Sequence, residues 1–200
     1  MSLLGLRATE LLDLFASPDP TPGGGSAAAL AGATGAALVA MVCAMPKTRT
    51  GDALERARLD GALASAREAG SLLRRLVDDD AAAYDAVLAA YRMAKGTDDE
   101  KAARKVAVAA AMARAIAVPL RTAEACLSVL KAAQEAAAHG NPNARSDALT
   151  AACLAWAGLA GAVENVRINA AGQDVAASRL VEAERCRDDA RRRLSELGLP

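Results

Sequence analysis

Apolar residues along this chain recur at helical rather than strand spacing, in blocks separated by proline, glycine and short polar runs. Leu59, Leu63, Leu72, Leu73, Leu76, Ala83 and Val87 keep to the three-and-four rhythm of helix spacing. That rhythm predicts a long helix from about Asp52 to Met93, with a kink near Gly61 or Gly70. A first helix is expected over Leu6–Ala16. Ser17-Pro18-Asp19-Pro20-Thr21-Pro22 cannot continue it, because each proline drives the residue before it toward extended geometry. Three glycines then open a second helix, which stops at Pro46, and Lys47 to Asp52 form a polar loop.

Lys95-Gly96-Thr97 breaks the chain again. Thr97 and Glu100 have the spacing of a capping box, and Glu100 and Arg104 that of an i,i+4 ion pair. The helix begun there is expected to reach Val118, with Pro119 as a kink or a new start. The next ends at His139-Gly140. Asn141-Pro142 has the form of an N-cap followed by an N1 proline, opening an apolar helix to about Ala171. A last, strongly charged helix over about Asp174 to Leu197 belongs on the outside. The fold class expected is all-α: a multihelical up-and-down bundle around a central buried Ala/Gly-rich helix, one domain over residues 1–200.

Composition sharpens this picture. Hydrophobic residues make up 53% of the chain and aromatics 2%, so small side chains carry the core and let backbones approach closely. The formal net charge of zero argues against a general nucleic-acid or anionic-membrane surface. Ala27 to Met45 is uncharged and long enough to cross a bilayer, but it is built of small residues without an aromatic belt. It is expected at the centre of the bundle, in a cytoplasmic protein with no signal peptide and no membrane partner. Cys43, Cys126, Cys153 and Cys186 lack C-x-x-C spacing and are expected as buried, reduced thiols.

Four constellations stand out from the alanine background. Pro22-Gly23-Gly24-Gly25-Ser26 opens a helix where converging backbone N–H groups suit an anion or carbonyl, or where a Cβ would clash. Asp80 and Tyr84 share a helix face, and a carboxylate beside a phenol can orient a ligand or move a proton. Their neighbours Asp78 and Asp79 would raise at least one pKa of the cluster by repulsion. Asn141, Ser146 and Asp147 surround the start of an otherwise apolar helix. Asn165 and Asn169 point the same way from its far end, and buried amides demand partners. Asp147 and Asn165 lie ~27 Å apart along one helix, so either they serve different ends of the bundle or a partner subunit brings them together. His139, the sole histidine, is expected to cap a helix end, and no cluster has metal-ligand spacing.

In this order and spacing, these blocks resemble the cyclodeaminase/cyclohydrolase family of folate enzymes. The matching residues are Pro22 to Ser26, Gly32 to Val42, Asp80-x-x-Ala83-Tyr84 and Lys95-Gly96-Thr97 with Glu100, Lys101 and Arg104. They continue through Val118-Pro119-Leu120, Gly140 to Asn143, Ser146-Asp147, Gly161-Ala162 and Asn165-Val166-x-Ile168-Asn169. The resemblance implies a helical bundle, a homodimer, and chemistry on the one-carbon unit bridging N5 and N10 of tetrahydrofolate, with no metal or redox cofactor. It implies a methenyltetrahydrofolate cyclohydrolase that forms 10-formyltetrahydrofolate. The alternatives are a formiminotetrahydrofolate cyclodeaminase and a non-catalytic folate-binding or scaffold bundle. Asp147 or Asp80 is the expected catalytic carboxylate, with Tyr84 beside it. Gly23, Gly24, Gly25, Ser26, Asn141, Ser146, Asn165 and Asn169 are expected around the ligand, and Lys95 and Arg104 at its glutamate tail. The chain departs from the family at Cys43 to Thr50, where Lys47 and Arg49 keep a basic lip.

Overall fold

The computed structural model describes residues 2–171 and 176–199. Six α-helices are formed among these residues, and no strand. They are α1 (Ala8–Phe15), α2 (Gly24–Ala44), α3 (Ala53–Arg92), α4 (Asp98–His139), α5 (Arg145–Ala170) and α6 (Ala177–Glu196). The expected start of the last helix at Asp174 lies outside the described residues.

The helix ends follow from local chemistry. Asp52 accepts the Leu54 N–H at 2.8 Å to start α3. Thr97 and Glu100 form the expected capping box at the start of α4. The Glu100 carboxylate takes the N–H groups of Gly96 and Thr97, so Arg104 does not pair with it. Arg104 instead donates to the Tyr91 carbonyl and lies over the Tyr91 ring, 5.5 Å from its centroid. Asn141 caps a single 3₁₀ turn, Pro142–Ala144, which leads directly into α5.

Of the two roles expected for Pro119, a new helix start is excluded: α4 runs through it as 42 residues. Proline has no N–H for the Ala115 carbonyl four residues earlier, and the Asn169 side chain donates to that carbonyl at 2.8 Å instead. α3 is the single long helix expected, continuous through Gly61 and Gly70. Gly70 serves packing, since a Cβ there would approach the Ala36 Cβ at 3.0 Å.

Helices α2, α3, α4 and α5 each pack against the next, and α5 returns to α2, closing an up-and-down ring. Small residues bring the backbones of α2, α4 and α5 together. A Cβ on Gly158 would meet the Ala28 carbonyl at 2.5 Å, and one on Gly32 would meet Cys126 Sγ at 2.4 Å. Gly35 meets Ala151 and Gly158 meets Ala28 and Gly32, so α2 and α5 are antiparallel. α6 covers the outside of α4 and α5. Of the four free cysteines, Cys43 and Cys126 are buried, Cys186 is half-buried and Cys153 is exposed. Cys153 departs from the expected burial because α5 turns Ala151, Ala152 and Ala155 inward and leaves it on the outer face.

Three helical segments, in α2, in α4 and over Pro142–Ala170, are long and apolar enough to cross a bilayer. In α2, half of that apolar window is buried against neighbouring helices. The rest faces outward through Thr34, Ala37 and Met41. At the far end of α2, Arg56 donates to the carbonyls of Cys43 and Met45. Buried Glu55 gathers the 48–51 loop, accepting Thr48 Oγ1 at 2.8 Å and the Thr50 N–H at 2.9 Å.

Helix length positions the site. α3 has 40 residues and α2 only 21. Their rises of ~60 and ~30 Å leave the α3–α4 hairpin projecting past the ends of α2 and α5. A cleft opens where the short helices stop.

Candidate functional site

The cleft has a volume of about 460 Å³, within the ~300–1,000 Å³ usual for small-molecule sites. Its back wall is α3, which presents Asp80, Tyr84, Val87 and Tyr91 on one face at spacings of four, three and four. The start of α2 contributes Gly23, Gly24 and Gly25, α5 contributes Asn165, Ile168 and Asn169, and α4 contributes Met112 and Ala115. The Thr21–Pro22 bond that leads into the glycines is cis.

Asp80 sits at the inner end, against the N-terminus of α2. A Cβ on Gly25 would lie 2.1 Å from Asp80 Oδ1, so the carboxylate fills the space a side chain would need. Ser26 is fully buried beneath it. Its hydroxyl donates to the Val77 carbonyl at 2.8 Å and lies 3.3 Å from Asp80 Oδ2, and its backbone N–H also supports the carboxylate. Burial raises the Asp80 pKa above its ordinary 3.8, outweighing the Ser26 hydrogen bonds that pull it down. The neighbouring acids are not the cause. Asp78 turns to Ser2 and the Leu3 N–H, and Asp79 pairs with Arg114 at 3.4 Å.

Tyr84 and Tyr91 are 42% and 52% exposed, so both rings stand open along the cleft wall. Asn165 Nδ2 donates to the Gly161 carbonyl at 3.1 Å, within its own helix. Asn169 holds α5 to α4 through the Ala115 carbonyl. Beyond Tyr91 the cleft continues into a basic groove lined by Lys95, Lys101, Arg104 and Lys105. Arg104, bonded to the Tyr91 carbonyl, joins the two.

The structure therefore gathers Gly23, Gly24, Gly25, Asp80, Tyr84, Asn165 and Asn169 in one place, with Lys95 and Arg104 next to it. Ser26 lies behind Asp80 and not on the cleft surface. Asn141, Ser146 and Asp147 are at the opposite end of the bundle, where Asn141 Nδ2 approaches Met45 Sδ at 3.9 Å. His139 is there too, 3.7 Å from Glu135. Among the described residues, no three His, Cys, Asp or Glu side chains converge to hold a metal. Val87, Tyr91, Met112 and Ile168 were not anticipated as cleft residues. The first two were readable, since they continue the Asp80–Tyr84 face of α3.

The arrangement offers a partly desolvated carboxylate at the end of an apolar, aromatic-walled slot, with amides on one side and cations at the open end. Comparison with known proteins places the chain in a family. The sequence profile of formiminotransferase-cyclodeaminase matches residues 7–185. The methenyltetrahydrofolate cyclohydrolase of Methylorubrum extorquens is 43% identical over 176 residues, covering 86% of this chain and 85% of that protein. The formimidoyltransferase-cyclodeaminase of Sus scrofa is 39% identical over 76% of this chain, which spans 28% of that longer protein. The crystal structure of formiminotetrahydrofolate cyclodeaminase from Thermotoga maritima superposes with a TM-score of 0.76 at 25% identity, covering 96% of this chain and 97% of that one. The chain belongs to the formiminotransferase-cyclodeaminase family.

Proposed function

We propose that this protein is a methenyltetrahydrofolate cyclohydrolase, converting 5,10-methenyltetrahydrofolate and water to 10-formyltetrahydrofolate. The observation that carries the reading is the Asp80 carboxylate, seated on Gly25 and Ser26 and facing a slot walled by Tyr84 and Tyr91. The substrate carries a delocalised cation over N5, the bridging carbon and N10. A carboxylate removed from bulk water stabilises that cation strongly and is a better base than an exposed one.

Water adds to the bridging carbon and gives one proton to Asp80. In the resulting tetrahedral adduct the C–N5 bond breaks as the carbonyl forms. The hydroxyl proton leaves, N5 takes up a proton, and one proton is released overall. No electrons are transferred, so the chemistry needs no redox cofactor. Tyr84 and Asn165 orient the ring system and the attacking water. The glycine N–H groups at the start of α2 meet a ring carbonyl, and Lys95 and Arg104 meet the glutamate carboxylates.

Formiminotetrahydrofolate cyclodeamination is the second reading, favoured by the name of the structural neighbour. There N10 attacks the N5-formimino carbon and ammonia leaves with a proton from the same carboxyl group. The extent of the 43% identity, over most of both chains, favours the cyclohydrolase. The test follows loss of the near-ultraviolet absorbance of methenyltetrahydrofolate against its uncatalysed hydrolysis. A parallel assay with formiminotetrahydrofolate watches the same band appear with ammonia. Turnover of the second substrate alone assigns the cyclodeaminase, and binding without turnover of either assigns a non-catalytic folate binder.

A further inference from the structure

Asn165 is the inner of the two cleft amides, half-buried on α5. Its Nδ2 donates to the Gly161 carbonyl at 3.1 Å, and among the described residues its side chain makes no other hydrogen bond. That one contact fixes which way the amide is turned. A carbonyl only accepts, so the reversed amide would set two oxygens 3.1 Å apart with no proton between them. Oδ1 is therefore turned away from Gly161, an acceptor with both lone pairs uncommitted. The register of the helices places it. α5 runs antiparallel to α2, and a Cβ on Gly161 would lie 3.5 Å from the Ala28 Cβ. One turn further along, toward the start of α2, Asn165 comes level with Gly24. Asp80 reaches the same turn from α3, its carboxylate seated over Gly25. α3 and α5 flank α2 in the ring, and a Cβ on Gly24 would meet nothing within 4 Å. The first turn of α2 thus has a carboxylate on one side, an amide oxygen on the other and open space at Gly24.

We infer, on the cyclohydrolase reading of the cleft, that Asn165 Oδ1 accepts one proton of the attacking water while Asp80 accepts the other. Held at both protons, the water turns a lone pair toward the bridging carbon. The substrate's own chemistry singles out the water. In 5,10-methenyltetrahydrofolate, N5, the bridging carbon and N10 carry no N–H or O–H. Among the reacting atoms the water is the donor, and it brings two protons to two acceptors. A base alone would leave the water free to turn about a single hydrogen bond. The second acceptor removes that freedom before the reaction begins. An amide oxygen and a carboxylate also both favour the cation they face. The protons balance. Asp80 takes the first proton as the C–O bond forms. The second stays on the new hydroxyl, held by Asn165, because an amide oxygen is too weak a base to remove it. Asp80 gives its proton to N5 as the C–N5 bond breaks, then takes the hydroxyl proton as the carbonyl forms and releases it to solvent. One water thereby supplies the carbonyl oxygen, the N5 hydrogen and the released proton.

Steady-state hydrolysis of methenyltetrahydrofolate by the wild type, Asn165→Leu and Asn165→Asp tests this. Leucine removes the acceptor at similar size, and aspartate keeps an oxygen acceptor but has no N–H. The leucine variant is expected to lose ~10²-fold in kcat with KM little changed, and the aspartate variant to recover at least ~tenfold of that loss. Thermal melts accompany the kinetics, and Asn165→Ala replaces the leucine variant if that one is unfolded. A leucine variant with wild-type kcat overturns the inference. So does a loss confined to KM, which assigns Asn165 to the ring system. An aspartate variant no better than the leucine variant overturns it as well, because the second Nδ2 hydrogen is then the working group. Any of these beside a wild type that hydrolyses methenyltetrahydrofolate removes the inference and leaves the cyclohydrolase reading standing. A wild type that turns over only formiminotetrahydrofolate, or neither folate, overturns that reading first and this inference with it.

Discussion

Asp80 and Gly25 occupy one space between them: the carboxylate of the first lies where the side chain of the second would begin, with 2.1 Å between Oδ1 and an added Cβ. Gly25→Ala is therefore expected to push the carboxylate out of its seat and lower kcat at least tenfold. Gly24→Ala meets nothing within 4 Å and replaces a helical glycine, so its melting temperature should hold or rise, by up to ~1 kcal/mol of stability. Thermal melts and turnover, measured on both variants, separate the role of each glycine.

Asp80→Asn keeps the shape and the acceptor for Ser26 but cannot take a proton. Turnover should fall by ~10²–10⁴-fold. Stability should move the other way. The pKa of Asp80 is raised in the folded chain, so its ionised form opposes folding above that pKa, and the cost vanishes as pH falls below 3.8. The variant should melt at or above the wild-type temperature at pH 7 and lose that advantage in acid. Melting curves at pH 7 and in acid check the sign.

Glu55 has the opposite linkage. The Thr50 backbone N–H, with the Thr48 hydroxyl, holds its pKa at about 2, down from 4.5. Its stabilisation is complete above 4.5 and is lost as pH falls toward 2. Glu55→Gln should melt lower than wild type at pH 7 and converge with it near pH 2, as followed by circular dichroism.

Lys95 and Arg104 stand outside the reacting end of the cleft. Lys95→Ala and Arg104→Ala should each raise KM several-fold, the ~0.2–1 kcal/mol of an exposed charge contact, with kcat nearly unchanged. The effect should shrink as salt is added. Steady-state kinetics at two ionic strengths decide it.

Much of the bundle was legible because helix starts are local chemistry. Asp52, Thr97 with Glu100 and Asn141 cap helices as their spacing implies. Pro119 stays inside α4 rather than starting a new helix because its local penalty is offset from outside the helix, by an amide fifty residues later in the chain. Arg104 misled because Glu100 has a nearer use in capping, which an i,i+4 rule does not weigh. The cleft was legible as a set of motifs but not as a place. Which motifs share it depends on where α2 and α5 end relative to the longer hairpin, and helix lengths settle that only after the packing is known. Ser26 shows the same limit: its neighbours line the cleft, and one residue's rotation turns it into the core.

The close packing of α2 on α4 and α5 through Gly32 and Gly158 has an entropic consequence. Alanine and glycine have no side-chain rotamers to lose, so this packed base beneath the cleft and its Gly23–Gly25 side are shaped by backbone and cost almost nothing to order when a ligand arrives. The disorder to be frozen on binding sits in the exposed side chains of the walls, Tyr84, Tyr91 and Ile168, and in Lys95 and Arg104 at the rim, each costing ~0.5–1.5 kcal/mol. The temperature dependence of affinity should then report on walls and rim, while the seat of Asp80 stays as it was before the ligand came.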